Sequence, residues 1–516
     1  MNLSGLKRLI NNYWILLLLV AVKFTLQIIL VNPVYELHRD EFLHLDQANH
    51  LALGFISVPP FTSLISKIIF FLGGSLFWIR FFPALFGALT IVFTWLITES
   101  LGGSLYARLL AGCAVLFSVL VRLNILFQPN SFDILTWTII FYLIVKFVQS
   151  EKSKWLFFCS VIAAIGFYNK YNLVFLITGL MAGFLLTSQR KVFLNPSLWK
   201  AVLLAFLLIL PNIIWQFVHH FPVIQHMKAL KETQLDNNSS LGFLKGQFLF
   251  FFGSIPLIFA VLIAFIQYRP FRVFRIIGIT FLTVLVLFSF LKAKEYYAIG
   301  LYPVLFAFGS VYIEQILSRK GRLIVVPALI GFNLLFFVAS AKLVYPVMSP
   351  AEINESKADF DQLGMLRWED GKNHDLPQDF ADMIGWREMA EKSLIAYQAI
   401  PPEELKNTLI FCDNYGQTGA LNYYNRGKMP EAYSFNTDYI YWLPQLDRIQ
   451  NILIIGKKPS PEIISMFAGF ERVGVVENRY AREKNTAIYL LTGASPEVTN
   501  IFYKMAEERK DKFDIF

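Results

Sequence analysis

Long apolar runs alternate with short polar segments along residues 1–345, and this alternation predicts a series of membrane-spanning helices. A helix needs about 20 apolar residues to cross the hydrocarbon core of a bilayer, and about eleven runs qualify when short helices in hairpins are included. The predicted spans are 13–32, 76–98, 104–124, 131–149, 155–168, 172–187, 199–217, 245–268, 273–291, 296–316 and 322–345. The pattern therefore predicts a polytopic α-helical membrane protein.

The pattern changes beyond Pro346, where polar and charged residues become common and no run is long enough to span a bilayer. Residues 407–412 and 450–456 are short apolar runs typical of buried strands, and residues 381–398 have the period of a helix. We therefore predict two domains. Residues 1–345 form the transmembrane domain, and residues 346–516 form a small soluble α/β domain.

The polar segment 33–75, which follows the first span, carries a helical pattern of its own. Residues 44–55 and 61–72 each show an amphipathic repeat, and Val58-Pro59-Pro60 separates them because two prolines cannot continue a helix. Amphipathic helices of this kind lie in the interface plane of a membrane. We expect this pair to cover a cavity at the membrane surface.

Composition agrees with this fold class and excludes others. The chain is 56% hydrophobic and only 16% charged, with 51 Phe, which is too apolar for a soluble protein. Three Cys are too few for a disulfide framework. The net charge of +9 does not indicate a nucleic-acid partner, because the basic residues lie mainly in short loops between apolar runs. This composition predicts that the chain is surrounded by membrane lipids.

The distribution of Lys and Arg orients the predicted spans, because positively charged short loops stay in the cytoplasm. The basic groups that fall on one side are Lys7 and Arg8, Arg108, Lys152 and Lys154, Arg190 and Lys191, Arg269, Arg272 and Arg275, and Arg319, Lys320 and Arg322. The loop 33–75 and residues 346–516 then lie on the other side. We therefore predict a multi-pass protein of the cytoplasmic (inner) membrane with an extracytoplasmic C-terminal domain.

The densest group of ionisable residues in the apolar part of the chain follows the first span. Asp40 and Glu41 are the candidate catalytic acids, because a carboxylate at the edge of a low-dielectric cavity can act as a general base. Two adjacent acids after a span are also typical of a solvated helix end. We favour catalysis because Arg39, His44 and Asp46 share the segment, and charge at a membrane boundary is costly without a role.

A second set of candidates consists of cations and tyrosines that could bind the phosphate of a membrane lipid. Most lie at the predicted outer turns, where the positive-inside rule predicts few cations. Lys, Arg and Tyr donors suit a phosphate at the membrane surface, although snorkelling commonly explains a single Lys or Arg there. The candidates are Arg39, Arg80, Arg122, Lys170, Tyr171, Lys292, Lys294, Tyr296 and Tyr297.

Asp133 and His220 complete the candidate site residues. Asp133 follows the turn 127–130 and either caps the fourth span or belongs to the site. His220 lies near His219 and His226, but these three imidazoles lack a clear metal-ligand spacing. We therefore expect no cofactor, with a divalent metal as the less favoured alternative.

Several short motifs follow one another along the chain in an order that is informative, although each motif alone is weak. They are Arg39-Asp-Glu41, Val58-Pro-Pro60, Ile79-Arg-Phe-Phe-Pro83 with Gly87, the turn from Pro129 to Asp133, Gly166 to Tyr171, Pro211-Asn-Ile-Ile-Trp-Gln216, Lys294 to Pro303, Phe380 to Trp386, and Asn414-Tyr-Gly416. This order resembles glycosyltransferase family 39, the superfamily of protein O-mannosyltransferases and lipid A aminoarabinose transferases. The last two motifs resemble bacterial members with an outer soluble domain.

The resemblance implies a GT-C-like fold and an enzyme that moves a sugar from a polyprenyl-phosphate donor to a lipid, glycan or protein acceptor at the extracytoplasmic face. It implies that Asp40, with Glu41 beside it, is the essential acid of the first outer loop. In the mechanism we expect, Asp40 takes the acceptor proton, the cations stabilise the donor phosphate, and the anomeric configuration inverts.

Two other function classes remain open from the sequence. A transporter or flippase of polyprenyl-linked glycans is the main alternative, and it would show charges deep in paired helices or broken helices in repeated halves. The charges here gather at one face, and we see no repeat. A sensor with an outer domain is a further alternative, for which we see no cytoplasmic output module.

Overall fold

The structure, a computed structural model, describes residues 3–233 and 238–514. The helices are α1 Leu3–Ile29, α2 Arg39–Asp46, α3 Phe61–Phe71, α4 Leu76–Ser100, α5 Leu105–Leu116, α6 Leu120–Leu123, α7 Pro129–Ser150, α8 Lys154–Asn169, α9 Leu173–Leu185, α10 Pro196–Val218, α11 Pro222–Thr233, α12 Ser240–Phe250, α13 Ile255–Gln267, α14 Arg275–Phe290, α15 Tyr302–Ile316, α16 Arg319–Val344, α17 Pro350–Glu355, α18 Lys357–Gln362, α19 Gln378–Ala381, α20 Trp386–Gln398, α21 Tyr415–Tyr424, α22 Pro461–Ile464 and α23 Glu497–Asp514. The strands are β1 Thr408–Cys412, β2 Asn451–Gly456, β3 Phe467–Val475 and β4 Ala487–Ala494.

The chain folds into two compact units, each built from three separate stretches of sequence. The first unit comprises the described parts of Met1–Val31, Ser75–Ile213 and Lys231–Val347. The second comprises the described parts of Asn32–Gly74, Ile214–Leu230 and Met348–Phe516. The polar segment after α1 therefore belongs to the same unit as the C-terminal region.

Apolar helices dominate the first unit. Within the described residues, six helices are long and apolar enough to cross a membrane, or eight if two bent pairs each count as one span. The six are Leu76–Ser100, Pro129–Ser150, Pro196–Val218, Arg269–Phe290, Glu295–Ile316 and Arg319–Val344. Each predicted apolar run contains helix, but some helices, such as α5 and α8, are shorter than this criterion requires. The number of spans therefore stays a prediction.

Small residues allow the helices of the first unit to pack closely. The helix α9 packs against α14, and a β-carbon at Gly183 would lie 2.6 Å from the carbonyl oxygen of Ile276. Glycine at such contacts is typical of membrane helix pairs, which gain their stability from close packing. The helix α7 packs between α4 and α8, and its Trp137 and Phe141 are completely buried.

A four-stranded sheet with the order β1-β2-β4-β3 lies within the described residues of the second unit. β1 and β2 are parallel, with Thr408 opposite Asn451, and β4 is antiparallel to both of its neighbours. Leu409 on β1 packs in one cluster with Phe502 on α23. The helix α21 starts directly beyond the carboxyl end of β1, where functional residues of α/β sheets commonly lie.

The structure confirms several predicted elements of the second unit and corrects two. Both ends of the helix α3 and of the strands β1 and β2 lie within one residue of the predicted bounds. The predicted helix 44–55 is wrong, because α2 covers Arg39–Asp46, a short 3₁₀ helix follows, and residues 50–60 are irregular. The predicted helix 381–398 is interrupted, because Gly385 has a φ of 87° and α20 starts only after it.

Candidate active site

The helix α2, which carries Asp40, starts with a reciprocal cap at His38. The Nδ1 atom of His38 accepts a hydrogen bond from the Asp40 amide at 3.2 Å, and the Glu41 carboxylate accepts one from the His38 amide at 2.7 Å. Such a capping box satisfies amides that a helix start leaves unpaired. Glu41 is completely buried, so the structure gives this predicted catalytic acid a capping position.

The helix α21, which follows β1, starts with a second reciprocal cap. The Oδ1 atom of Asn414 accepts hydrogen bonds from the amides of Gly416 and Gln417 at 3.0 and 3.1 Å. The side-chain amides of Asn414 and Gln417 in turn donate to the Glu483 carboxylate at 3.1 and 2.7 Å. This network fixes the position of Tyr415, the first residue of the helix.

The two helix starts meet at Asp40 and Tyr415. The Tyr415 hydroxyl donates a 2.6 Å hydrogen bond to Oδ1 of Asp40, and the Arg39 guanidinium lies 4.5 Å from the centre of the Tyr415 ring. The Asp40 side chain remains 38% exposed, and its Oδ2 lies 3.8 Å from Nδ1 of His38. Burial raises the pKa of Asp40, but His38, Arg39 and the Tyr415 hydroxyl outweigh it and lower the pKa to about 2. The carboxylate is therefore ionised and accessible at neutral pH.

Asp382, from the segment between α19 and α20, is a buried acid beside α2. Its side chain is only 1% exposed, and it forms a 2.9 Å ion pair with Arg482 and lies 3.6 Å from Nε2 of His38. Its backbone carbonyl accepts a hydrogen bond from the Arg39 amide at 3.1 Å. Burial raises the pKa of Asp382 in spite of the nearby guanidinium groups of Arg482 and Arg39. Asp382 therefore anchors the start of α2 through both its backbone and its side chain.

His44 and Asp46, the other predicted residues of this loop, are buried in the same unit. Nδ1 of His44 lies 3.5 Å from the side-chain oxygen of Gln47, and burial lowers the pKa of this imidazole. Asp46 accepts hydrogen bonds from Asn422 at 2.6 Å and Asn49 at 3.0 Å, and burial raises its pKa. Because both side chains are buried and bonded, they support the helices around Asp40.

In the first unit, Lys170 between α8 and α9 is the centre of a cluster of predicted phosphate-binding residues. Its Nζ donates a 2.8 Å hydrogen bond to the side chain of Asn130 and lies 4.5 and 5.3 Å from the ring centres of Tyr297 and Tyr296. Lys294 is close enough to interact electrostatically with Lys170. The structure therefore brings four of the predicted residues together around one ammonium group.

Asp133 also belongs to this cluster and does not cap its helix. The helix α7 starts at Pro129, and its N-cap Gln128 makes no side-chain capping bond. Asp133 lies one turn inside the helix, where it is buried and accepts a 3.1 Å hydrogen bond from Asn172. Asn172 also donates to the backbone carbonyl of Tyr297 at 3.1 Å. The capping interpretation is therefore wrong, and Asp133 connects the segments that surround Lys170.

The other predicted phosphate-binding residues of the first unit each make contacts of their own. Arg80 donates a 2.6 Å hydrogen bond to a backbone carbonyl of the turn between α6 and α7, and Tyr171 donates a 2.9 Å bond to a side-chain amide on α10. Arg122 is buried. Lys292 is exposed and has a left-handed backbone with a φ of 49°.

The histidines near α10 make contacts of other kinds. His219 stacks on Trp215 with 4.1 Å between ring centres, and its Nδ1 lies 2.8 Å from the carbonyl oxygen of that residue. His220 is exposed and has a φ of 55°. Within residues 3–233 and 238–514, no three His, Cys, Asp or Glu side chains form a group suited to a metal ion. The expectation that the enzyme needs no metal stays a prediction.

The contribution of the C-terminal region to the surroundings of Asp40 was not foreseen from the sequence. Tyr415 and Asp382 lie in motifs that carried the family resemblance, yet nothing in their spacing links them to Asp40, which lies 375 positions before Tyr415 and 342 before Asp382. A local signal did exist, because Asn414 and Gln417 have the spacing of a capping box and mark the start of α21.

Comparisons with known proteins agree with this architecture. The sequence model of the family described as dolichyl-phosphate-mannose-protein mannosyltransferase matches residues 57–215. Comparison with curated protein sequences gives no significant match. The structure of ArnT from Cupriavidus metallidurans bound to undecaprenyl phosphate superposes with a TM-score of 0.62 at 14% identity, covering 93% of this chain and 98% of ArnT. The archaeal oligosaccharyltransferase AglB from Archaeoglobus fulgidus, in complex with an inhibitory peptide and a dolichol-phosphate, superposes with a TM-score of 0.50 at 10% identity, covering 86% of this chain and 70% of AglB.

The apolar helices, the fold shared with ArnT and the family match over residues 57–215 agree with the expected membrane glycosyltransferase of the GT-C type. The family match over residues 57–215 and the shared fold are consistent with the resemblance to glycosyltransferase family 39 and support an enzyme that transfers a sugar. This assignment favours an enzyme over the transporter and sensor alternatives.

Proposed function

We propose that this enzyme transfers a sugar from a polyprenyl-phosphate donor to a hydroxyl group of a lipid, glycan or protein acceptor, with inversion at the anomeric carbon and with Asp40 as general base. The observation that carries this proposal is the accessible, ionised carboxylate of Asp40, which the Tyr415 hydroxyl binds at 2.6 Å. A positioned general base contributes about 10²–10⁴-fold in rate.

The low pKa of Asp40, about 2, makes this carboxylate a weak base. Weak basicity is sufficient here because the acceptor hydroxyl becomes strongly acidic as its oxygen bonds to the anomeric carbon. Asp40 then receives the proton late in the displacement, while the bond between the sugar and the phosphate breaks. After transfer, Asp40 releases this proton to water and is ionised again for the next cycle, because its pKa lies far below neutral pH.

Binding of the donor phosphate is assigned in this proposal to the cluster around Lys170. The ammonium group, the hydroxyls of Tyr296 and Tyr297, and the nearby Lys294 offer donors that stabilise a phosphate as it gains charge on leaving the sugar. The lipid phosphates bound by ArnT and AglB support a lipid-linked phosphate as the ligand of the present enzyme.

The reaction is proposed to occur at the outer face of the cytoplasmic membrane. The clustering of Lys and Arg in one set of short loops supports this orientation, because such loops remain cytoplasmic. The loop with Asp40 and the C-terminal region then both lie on the extracytoplasmic side. No cofactor takes part in the proposed displacement, since polyprenyl phosphate itself is the leaving group.

The test is transfer by the purified protein in lipid nanodiscs that contain a polyprenyl-phosphate sugar pool. We expect release of free polyprenyl phosphate that depends on an added cell-envelope acceptor fraction, detected by mass spectrometry. Asp40→Asn keeps the size of the side chain but removes its basicity, so it should reduce this release about 10²–10⁴-fold while donor binding persists. Near-normal transfer by a folded Asp40→Asn protein would refute the assignment of the base.

A further inference from the structure

The contact between Asp40 and Tyr415 supports an inference that rests on the proposed function and extends it to the C-terminal region. We infer that Tyr415 is a positioning residue for catalysis, whose hydroxyl holds one oxygen of the Asp40 carboxylate so that the group meets the acceptor in a fixed orientation. Tyr415 itself touches neither substrate in this role, and it acts only through Asp40.

The geometry of the hydrogen bond supports such a role. The distance of 2.6 Å from the Tyr415 hydroxyl to Oδ1 of Asp40 is that of a short, charge-assisted bond. The terminal torsion of an Asp side chain is otherwise broad, so this bond restrains the plane of the carboxylate. A carboxylate has about four lone-pair sites, and it can therefore accept the acceptor hydroxyl in addition to Tyr415.

The Tyr415 ring is itself held from several sides. Its backbone starts the capped helix α21, and the Arg39 guanidinium lies 4.5 Å above the ring centre. The backbone of the neighbouring Gly416 packs tightly, because a β-carbon there would lie 3.0 Å from Trp386 and 3.3 Å from Cβ of Arg39. Because the ring is already held in place, no conformational freedom has to be lost before its hydroxyl orients Asp40.

The Tyr415 hydroxyl fixes the orientation of the Asp40 carboxylate and also lowers its pKa. Other groups that act electrostatically on Asp40 include Arg39 and His44 on its own helix and His38 at the helix cap. A hydroxyl that donates to a carboxylate favours the ionised form. Removal of the Tyr415 hydroxyl should therefore raise the pKa of Asp40 while it releases the orientation of the carboxylate.

The primary test is Tyr415→Phe, with Tyr423→Phe on the same helix as the matched control. The Tyr423 hydroxyl donates at 3.3 Å to the backbone carbonyl of Gly74. We expect Tyr415→Phe to lower kcat about 10-fold, with the KM for the donor within about 2-fold of the parent, and to shift any acid limit of kcat upwards by about one to two pH units. Tyr423→Phe should retain the parent kcat and the parent pH profile.

A double-mutant cycle separates positioning from a general structural effect. If Tyr415 acts through Asp40, then Tyr415→Phe should change the residual rate of an Asp40→Asn protein by less than about 2-fold. Equal fold losses from Tyr415→Phe in the parent and in the Asp40→Asn protein would overturn the inference. Should Tyr415→Phe fold poorly, Asn414→Ala, which loosens the start of α21, is tested in the same cycle with the same expectation.

The outcomes distinguish this inference from the proposed function. Full activity of Asp40→Asn would remove the general base and with it the role of Tyr415. Loss of activity in Asp40→Asn, together with equal rates for Tyr415→Phe and Tyr423→Phe, would leave the proposed function intact and refute the positioning role alone.

Discussion

Gly419 on α21 lies so close to Phe42 on α2 that a β-carbon at Gly419 would be 2.8 Å from Cβ and 2.9 Å from the backbone carbonyl carbon of Phe42. Contacts of this length do not occur between real carbon atoms, so one of the two helices would have to move. The helix that carries Asp40 and the helix that carries Tyr415 therefore depend on this glycine for their spacing.

We accordingly predict that Gly419→Ala separates α2 from α21, lowers the thermal unfolding midpoint and reduces transfer. Overpacking of a close contact typically costs about 1–3 kcal/mol. The matched control is Gly331→Ala on α16, where no atom lies within 4 Å of the added carbon and alanine should stabilise the helix. The measurements are the unfolding midpoints and transfer rates of both variants. A Gly419→Ala protein as stable and active as the parent would contradict the prediction.

Lys170 tests the proposed phosphate site. Lys170→Met keeps an unbranched side chain one atom shorter but removes the charge, and it should weaken binding of a polyprenyl-phosphate ligand by about 1.5–3 kcal/mol, as expected for a charge-assisted contact. Lys294→Ala should act in the same direction. Lys154→Met is the control, because Lys154 also lies over an aromatic ring, that of Trp155 at 4.8 Å, but belongs to a predicted cytoplasmic loop. Binding of fluorescent polyprenyl phosphate provides the measurement. Equal affinities in all three variants would show that the cluster around Lys170 does not bind the phosphate.

Asp438 gives a prediction about pH and stability. Its carboxylate is 1% exposed and accepts hydrogen bonds from the Ile56 amide at 2.6 Å and the Gln47 side chain at 2.8 Å, yet burial raises its pKa to about 6. An Asp in an unfolded chain has a pKa of about 3.9. The folded state therefore binds more protons between these values, and this group makes stability fall as the pH rises from about 4 to about 6.

As the pH rises over that range, the unfolding midpoint of Asp438→Asn should therefore increase relative to that of the parent, because only the parent loses this stabilisation. The contribution of this one group amounts to about 3 kcal/mol at most. Asp447→Asn serves as the matched control, because Asp447 is exposed and its replacement leaves the Asp438 carboxylate and its hydrogen-bond partners in place. A constant difference for Asp438→Asn would show that its carboxyl group does not titrate in this range.

The orientation of the chain can be tested by cysteine labelling in intact cells. After replacement of Cys113, Cys159 and Cys412 by Ala, single substitutions Glu462→Cys and Lys320→Cys introduce thiols at exposed positions. We expect an impermeant maleimide to label the first from outside and the second only after permeabilisation. The reverse pattern would invert the topology and move Asp40 to the cytoplasmic side.

Hydrophobic periodicity predicted most of the first unit because its signal is local. The run 76–98 became α4 Leu76–Ser100, and the run 131–149 became α7 Pro129–Ser150. The helix α2 was misplaced because its start depends on His38 as N-cap, and histidine is not among the residues that normally mark a helix start. The irregular residues 50–60 retain apolar spacing, which imitates a helix without forming one.

The candidate site was predictable only where one short segment contained it. Asp40 stood out because it lies among other ionisable residues after a span, and Lys170 because it lies at a turn where few cations are expected. The role of the buried Glu41 could be recognised only from the geometry of the helix cap. The pairing of Asp40 with Tyr415 could be recognised only from the tertiary fold. The strands β3 and β4 were not predicted, since the half-exposed β3 lacks a clean alternation.

The separation of 375 positions between Asp40 and Tyr415 has a consequence for biosynthesis. At about 5–20 residues per second, a ribosome that has made Asp40 needs about 20 to 75 seconds more to reach Tyr415. During that interval α2 exists without the helix that packs against it. A prematurely terminated chain that ends before β1 therefore contains every predicted span and the acid itself, but lacks the hydroxyl that holds the acid in place.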